Sequence, residues 1–205
     1  MSFDLILFGG TGDLTWRKLM PALFQAWRHH KLPSDGRILA VARDDRSDEQ
    51  YRAFIRERFF EVEAAKQPSQ EEFDRFSALL HYRRMDLSKA SDYEGLKGWV
   101  EARGARTVVL VHGLGEHAGR YSELAAHLRD WGFIVRAYDQ QGHGQSAGAR
   151  GDMLRPGSLQ ADLGQVIDAT RQRPHSADLP LVLLGHSMGG LVVARALAEQ
   201  LRYVD

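Results

Sequence analysis

Leu5-Ile6-Leu7-Phe8-Gly9-Gly10-Thr11-Gly12-Asp13-Leu14 opens the chain with four apolar residues, a glycine-rich corner and the start of a helical pattern. A short apolar run bounded by glycine reads as a strand buried on both faces, as parallel strands are. Glycines at such a corner let the chain turn tightly and let a pyrophosphate approach the N-terminus of the next helix, where free amides and the helix dipole favour an anion. A tight βα corner with no ligand explains the glycines alone equally well.

Outward from this stretch the same alternation continues. Short apolar runs at residues 38–41, 108–111, 134–138 and 181–184, with a weaker one at 81–85, read as strands. Helical spacing covers 14–30, 48–60, 71–80, 93–102, 121–131, 159–171 and 188–202. Strands alternating with helices predict an α/β protein with a parallel sheet. With 205 residues the chain holds one ordinary domain or two very small ones. Composition changes near residue 104: all five lysines and eight of nine phenylalanines precede it, and every basic residue after it is arginine. This predicts a join of two ancestries at residues 101–106, dividing the chain into segments 1–103 and 104–205.

Twenty-seven basic and 27 acidic side chains cancel, so net charge gives no sign of nucleic acid, an acidic membrane surface or a polyanion as partner. The chain has no cysteine for a disulfide framework and no apolar run long enough for a membrane span or signal segment. Met1 leads directly into the first strand, and the expectation is a cytoplasmic protein.

Two features strengthen the nucleotide reading of the first corner. Lys18 lies one helical turn further on, within reach of a phosphate or the nicotinamide edge. Arg43 ends the second strand, where an acidic residue would read a ribose 2′-hydroxyl; a guanidinium there favours a 2′-phosphate instead. As a block, Gly9 to Leu14 with Lys18, Pro21, Ala22, Leu23 and Ala42-Arg43 resembles the N-terminus of glucose-6-phosphate dehydrogenases over about residues 3–102. The resemblance implies a Rossmann-like segment that binds NADP through Gly9, Gly10, Thr11, Gly12, Asp13 and Leu14, with Lys18 near the nicotinamide and Arg43 facing the 2′-phosphate. Thr15 departs from the smaller residue usual there for close helix packing. The family's remaining coenzyme strands, sugar phosphate site and catalytic histidine have no counterpart, so NADP binding without hydride transfer is expected.

The second chemical signal is Gly185-His186-Ser187-Met188-Gly189-Gly190, directly after the apolar run 181–184 and opening a helix. This is the pattern of a nucleophile elbow, a strained strand-to-helix turn that exposes a serine Oγ, with the next amide, Met188, aimed at the oxyanion. Upstream, Val111-His112-Gly113-Leu114-Gly115-Glu116-His117 ends another strand, from which the Leu114 amide supplies a second oxyanion donor. His112 and His117 are read as structural. With Gly119-Arg120-Tyr121 and Asp139 to Ser146 added, residues 107–203 resemble monoacylglycerol lipases and lysophospholipases of the α/β-hydrolase fold. The resemblance implies nucleophile Ser187, oxyanion donors Leu114 and Met188, and a lipid ester as substrate. That fold takes its acid and histidine after the serine. The 18 residues following Ser187 include no histidine, and Asp205 comes too early for the acid. At most slow ester cleavage is expected.

Edge counting predicts how the two segments meet. In the hydrolase fold the strand at 107–111 lies between those at 132–138 and 181–184, so both its edges are filled. The strand at 3–8 therefore lacks its usual neighbour, and 181–184 keeps an open edge. Pairing of 5–8 with 181–184 is predicted to give one six-stranded hybrid sheet, and edges left open invite self-association. Three functions remain open: NADP binding without complete catalysis, a weak carboxylester or monoacylglycerol hydrolase acting through Ser187, and an inactive fusion remnant or engineered chimera.

Overall fold

The computed structural model describes residues 2–32, 35–61, 67–102, 104, 107–174 and 180–199. Its strands are β1 (Ser2–Phe8), β2 (Asp35–Ala42), β3 (Leu80–Arg84), β4 (Thr107–Val111), β5 (Ile134–Ala137) and β6 (Leu181–His186). They form one six-stranded sheet in the order β3-β2-β1-β6-β4-β5, and every pairing described is parallel. The predicted junction is present: β1 pairs β6 with Leu5 opposite Leu183 and Phe8 opposite His186. β4 lies between β5 and β6, leaving the outer edge of β6 as the surface on which β1 completes its ladder.

The register explains why this junction is not a weak seam. Val109, Leu183, Leu5, Ile38 and Leu80 fall in one row across five strands, and all are at least 96 % buried. One residue further along, Leu110, Leu184, Ile6 and Leu39 form the matching row on the opposite face. Apolar side chains thus cover both faces of the central strands, the pattern expected of a parallel sheet with helices on each side.

One helical layer contains α1 (Met20–Arg28), α2 (Asp48–Phe60), α3 (Gln70–Ser77), α6 (Ser158–Arg171) and α7 (Met188–Glu199); the other contains α4 (Glu94–Glu101) and α5 (Ser122–Asp130). Residues from both sides of position 104 enter each layer: Leu23, Phe76, Leu163 and Val193 share the first, and Leu96, Trp99, Leu124 and Leu128 the second. Ser47 and Ser69 start α2 and α3 with reciprocal capping boxes to Gln50 and Glu72, satisfying amides that the first helical turn leaves without partners.

The expected helix 14–30 is divided. A π-helical turn, Thr15–Leu19, precedes α1. Pro21 near the start of α1 has no N–H to return to residue 17, and Thr15 is buried with its hydroxyl donating to Gly9 O at 2.8 Å. The residue that departs from family usage is thus accommodated by a wider turn. Expected helix 71–80 is α3, with Leu80 beginning β3 instead. The last turn of expected helix 188–202, Asp205, and seam residues 103, 105 and 106 lie outside the described residues.

Candidate functional site

The glycine corner is fixed from beneath. Gly9 N–H and Gly10 N–H both donate to Val41 O at 2.9 Å, and Gly12 N–H donates to Gly9 O at 2.9 Å. Tyr51, fully buried in α2, donates its hydroxyl to Gly10 O at 2.8 Å. A Cβ on Gly10 would lie 2.7 Å from the Ala40 Cβ, so only glycine lets β1's corner sit this close to β2. Tyr82 stacks on Tyr51 at 5.0 Å and donates to Asp44 O at 2.7 Å. Burial, helped by the Asp44 carboxylate, pushes the Tyr82 hydroxyl up to about 12, so it remains a donor at neutral pH.

Above the corner is a cleft of about 470 Å³, lined by Gly9, Thr11 and Gly12 after β1, Arg43 and Asp44 after β2, Met85 to Leu87 after β3, and His186 at the end of β6. It lies outside the carboxyl ends of parallel strands, where open α/β sheets bind ligands. Of the expected coenzyme residues, Gly9, Thr11, Gly12 and Arg43 converge on this cleft. Gly10 supports it from below. Asp13 is exposed and engaged locally, accepting from Trp16 Nε1 at 3.2 Å and lying 3.8 Å from Arg17 Nε. Leu14 is half-buried, and Lys18 is exposed and does not line the cleft.

Sequence reasoning missed Asp44, Asp86 and the placement of His186. Asp44 accepts a hydrogen bond from Thr11 Oγ1 at 2.5 Å, linking the glycine corner to the end of β2. Hydrogen bonds from the Ser88 side chain and backbone lower the Asp86 carboxyl below its usual range. Arg43 therefore shares the cleft with two acidic side chains. The Asp immediately after Arg43 was the available signal.

Ser187 sits at the predicted sharp turn with φ of 51°, a left-handed conformation that costs a non-glycine residue roughly 1–3 kcal/mol. The surroundings enforce it. A Cβ on Gly189 would lie 2.1 Å from Val111 O. Gly190 N–H and Leu191 N–H donate to Ser187 O at 3.0 and 3.3 Å, and Ser187 N–H donates to Phe8 O at 3.4 Å. The elbow is thereby tied to the last residue of β1, across the seam. Met188 begins α7, and Leu114 is exposed in the loop after β4. That loop packs against the elbow, since a Cβ on Gly113 would lie 3.2 Å from His186 Nδ1.

A polar cluster holds the loop and elbow together. Glu116 Oε2 lies 3.0 Å from His186 Nδ1 and accepts from the Tyr121 hydroxyl at 2.6 Å and Gly113 N–H at 3.0 Å. Burial works against ionising this carboxyl, but the hydrogen bonds from Tyr121, His186 and Gly113 prevail and lower it to about 2. His112 has the structural role expected: it is buried, its Nδ1 lies 2.7 Å from Gly113 O, and its Nε2 accepts from Gln140 N–H at 3.0 Å. Among the described residues the Ser187 hydroxyl has no hydrogen-bond partner, and the adjacent imidazole is committed to Glu116.

Comparison with known proteins gives a two-part result. The family described as glucose-6-phosphate dehydrogenase, NAD binding domain, matches residues 6–137, and the family described as serine aminopeptidase, S33, matches residues 102–205. Mouse monoglyceride lipase is 40 % identical over 106 residues, 51 % of this chain and 34 % of the lipase. Glucose-6-phosphate 1-dehydrogenase of Rhizobium meliloti is 29 % identical over 134 residues, 65 % of this chain and 27 % of that enzyme. The chain thus spans about a third or less of these relatives' lengths. The crystal structure of glucose-6-phosphate 1-dehydrogenase from Mycobacterium avium superposes with a TM-score of 0.52 at 23 % identity, covering 66 % of this chain and 29 % of that one, a likeness of fold.

Proposed function

The chain belongs to two families, the glucose-6-phosphate dehydrogenase NAD binding domain through residues 6–137 and serine aminopeptidase S33 through residues 102–205, and on that premise we propose that it binds NADP without completing hydride transfer. The observation that supports this reading is the convergence of Gly9, Thr11, Gly12 and Arg43 on one cleft at the carboxyl ends of β1 and β2. The cleft volume is in the usual range for a small-molecule site. The Thr11 and Asp13 amides, left by the corner's own hydrogen bonds, are the donors for the pyrophosphate, and Arg43 faces the 2′-phosphate. When bound, the coenzyme supplies a hydride acceptor; the residues here hold it. We place the protein in the cytoplasm, with small molecules rather than nucleic acid as ligands and with self-association through the open edges of β3 and β5.

The test is a thermal melt with and without excess NADP, repeated for Arg43→Ala. A ligand that binds only the folded state raises the transition, by about 2.7 kcal/mol at a hundredfold excess over Kd. Arg43→Ala is expected to weaken NADP roughly tenfold to a hundredfold while sparing NAD, because charge-assisted hydrogen bonds contribute about 1.5–3 kcal/mol. No shift with NADP overturns the reading, and equal weakening of both coenzymes overturns the assignment of Arg43.

The strained φ of Ser187 supports a second reading, slow cleavage of an ester of monoacylglycerol type, with Leu114 and Met188 amides as oxyanion donors. An activated phosphonate should label the protein and fail to label Ser187→Ala. Equal labelling of both excludes it. If neither NADP nor the phosphonate engages the chain, the inactive fusion is the remaining reading.

A further inference from the structure

The side chain that closes the cleft on the β6 side comes from outside the coenzyme motif. His186 is held at Nδ1 by Glu116, 3.0 Å away, and forms part of the cleft wall with Gly9, Gly12 and Arg43. A carboxylate on one ring nitrogen fixes the ring's orientation and puts a proton on that nitrogen. Nε2 is then the free nitrogen, with no hydrogen bond among the described residues.

The sheet order gives this nitrogen a position along a bound ligand. Carboxyl ends of β3, β2, β1 and β6 follow one another beneath the cleft, carrying Met85 to Leu87, then Arg43 and Asp44, then the glycine corner, then His186. A dinucleotide with its 2′-phosphate at Arg43 and its pyrophosphate at the glycine corner continues toward β6. We infer that His186 is a binding residue for the half of the dinucleotide beyond the corner, where Nε2 accepts a hydrogen bond from a ribose hydroxyl, and that Glu116 is its positioning residue. The inference rests on the NADP reading. It means that the hydrolase-like half supplies a contact to a ligand of the dehydrogenase-like half, because β1 occupies the edge beside β6.

Two ligands measured on the same proteins test this. NADP spans the whole cleft, whereas adenosine 2′,5′-bisphosphate ends before β6. By titration calorimetry, His186→Ala is expected to weaken NADP roughly tenfold, about 1.4 kcal/mol, and to leave the bisphosphate unchanged. Glu116→Gln keeps an oxygen for the Nδ1–H and should lose less NADP affinity in the same selective way. Arg43→Ala should weaken both ligands. If His186→Ala loses both ligands equally or neither, the inference is overturned while the NADP reading stands; if the unaltered protein binds neither ligand, that reading falls first. Should His186→Ala fail to fold, His186→Gln is read by the same ratio.

Discussion

Leu183→Ala tests whether the two family segments are one cooperative unit. Leu183 is 4 % exposed and faces Leu5 on one side and Val109 on the other. Its neighbours belong to strands locked by ladder hydrogen bonds on both edges, so the structure has little freedom to collapse into the space left. Leu→Ala at such a site costs about 3–5 kcal/mol, the upper part of the range for buried leucines. For a chain of this size each kcal/mol lowers Tm by roughly 2–4 °C, giving a fall of roughly 6–20 °C. Thermal unfolding would be followed by far-UV circular dichroism and by tryptophan fluorescence; three of the four tryptophans, Trp16, Trp27 and Trp99, lie before residue 104, and Trp131→Phe in both proteins confines the signal to that segment. Both signals should move together, although the substitution is in the other segment. A loss below about 1 kcal/mol, or a tryptophan transition that stays in place while the dichroism shifts, would refute the shared core.

Three further outcomes follow. Gly189→Ala would put a Cβ 2.1 Å from Val111 O, a backbone atom that cannot rotate away; it should abolish phosphonate labelling of Ser187 and lower Tm, and normal labelling would contradict the elbow geometry. Glu116 has a depressed folded pKa, so its stabilisation is complete above the unfolded value near 4.5 and is lost as pH falls toward about 2; Tm of Glu116→Gln should depend less on pH across that window, and parallel profiles would be the contrary result. Asp44→Asn keeps an acceptor for Thr11 but removes a negative charge beside Arg43; NADP should gain over NAD by about 1 kcal/mol, or roughly fivefold, in competition binding.

Much of the fold was legible because its signals are local or obey counting rules. The runs at 5–8 and 181–184 are apolar without interruption, which marks central strands, and their pairing followed from the filled edges of the strand between 107 and 111. The helix after the glycine corner was less legible: its pattern is continuous, and only Pro21 and the inward hydroxyl of Thr15 show why it begins as a π-helical turn. Of the residues that line the cleft, Gly9, Thr11, Gly12 and Arg43 stood out in motif and spacing, as did the sharp turn at Ser187. Lys18 was expected at the nicotinamide, but it is exposed and does not line the cleft.

The sequence by itself determined the α/β class and both chemical motifs, because periodicity and glycine spacing act over a few residues. Only the tertiary structure decided that His186 lines the cleft above the glycine corner and that Asp44 shares it with Arg43. Glu116 and His186 are 70 residues apart, and β1 and β6 are separated by most of the chain. What brings them together is the pairing of two open backbone edges, on strands whose apolar faces are buried by helices, a property of the assembled sheet that neither segment contains alone.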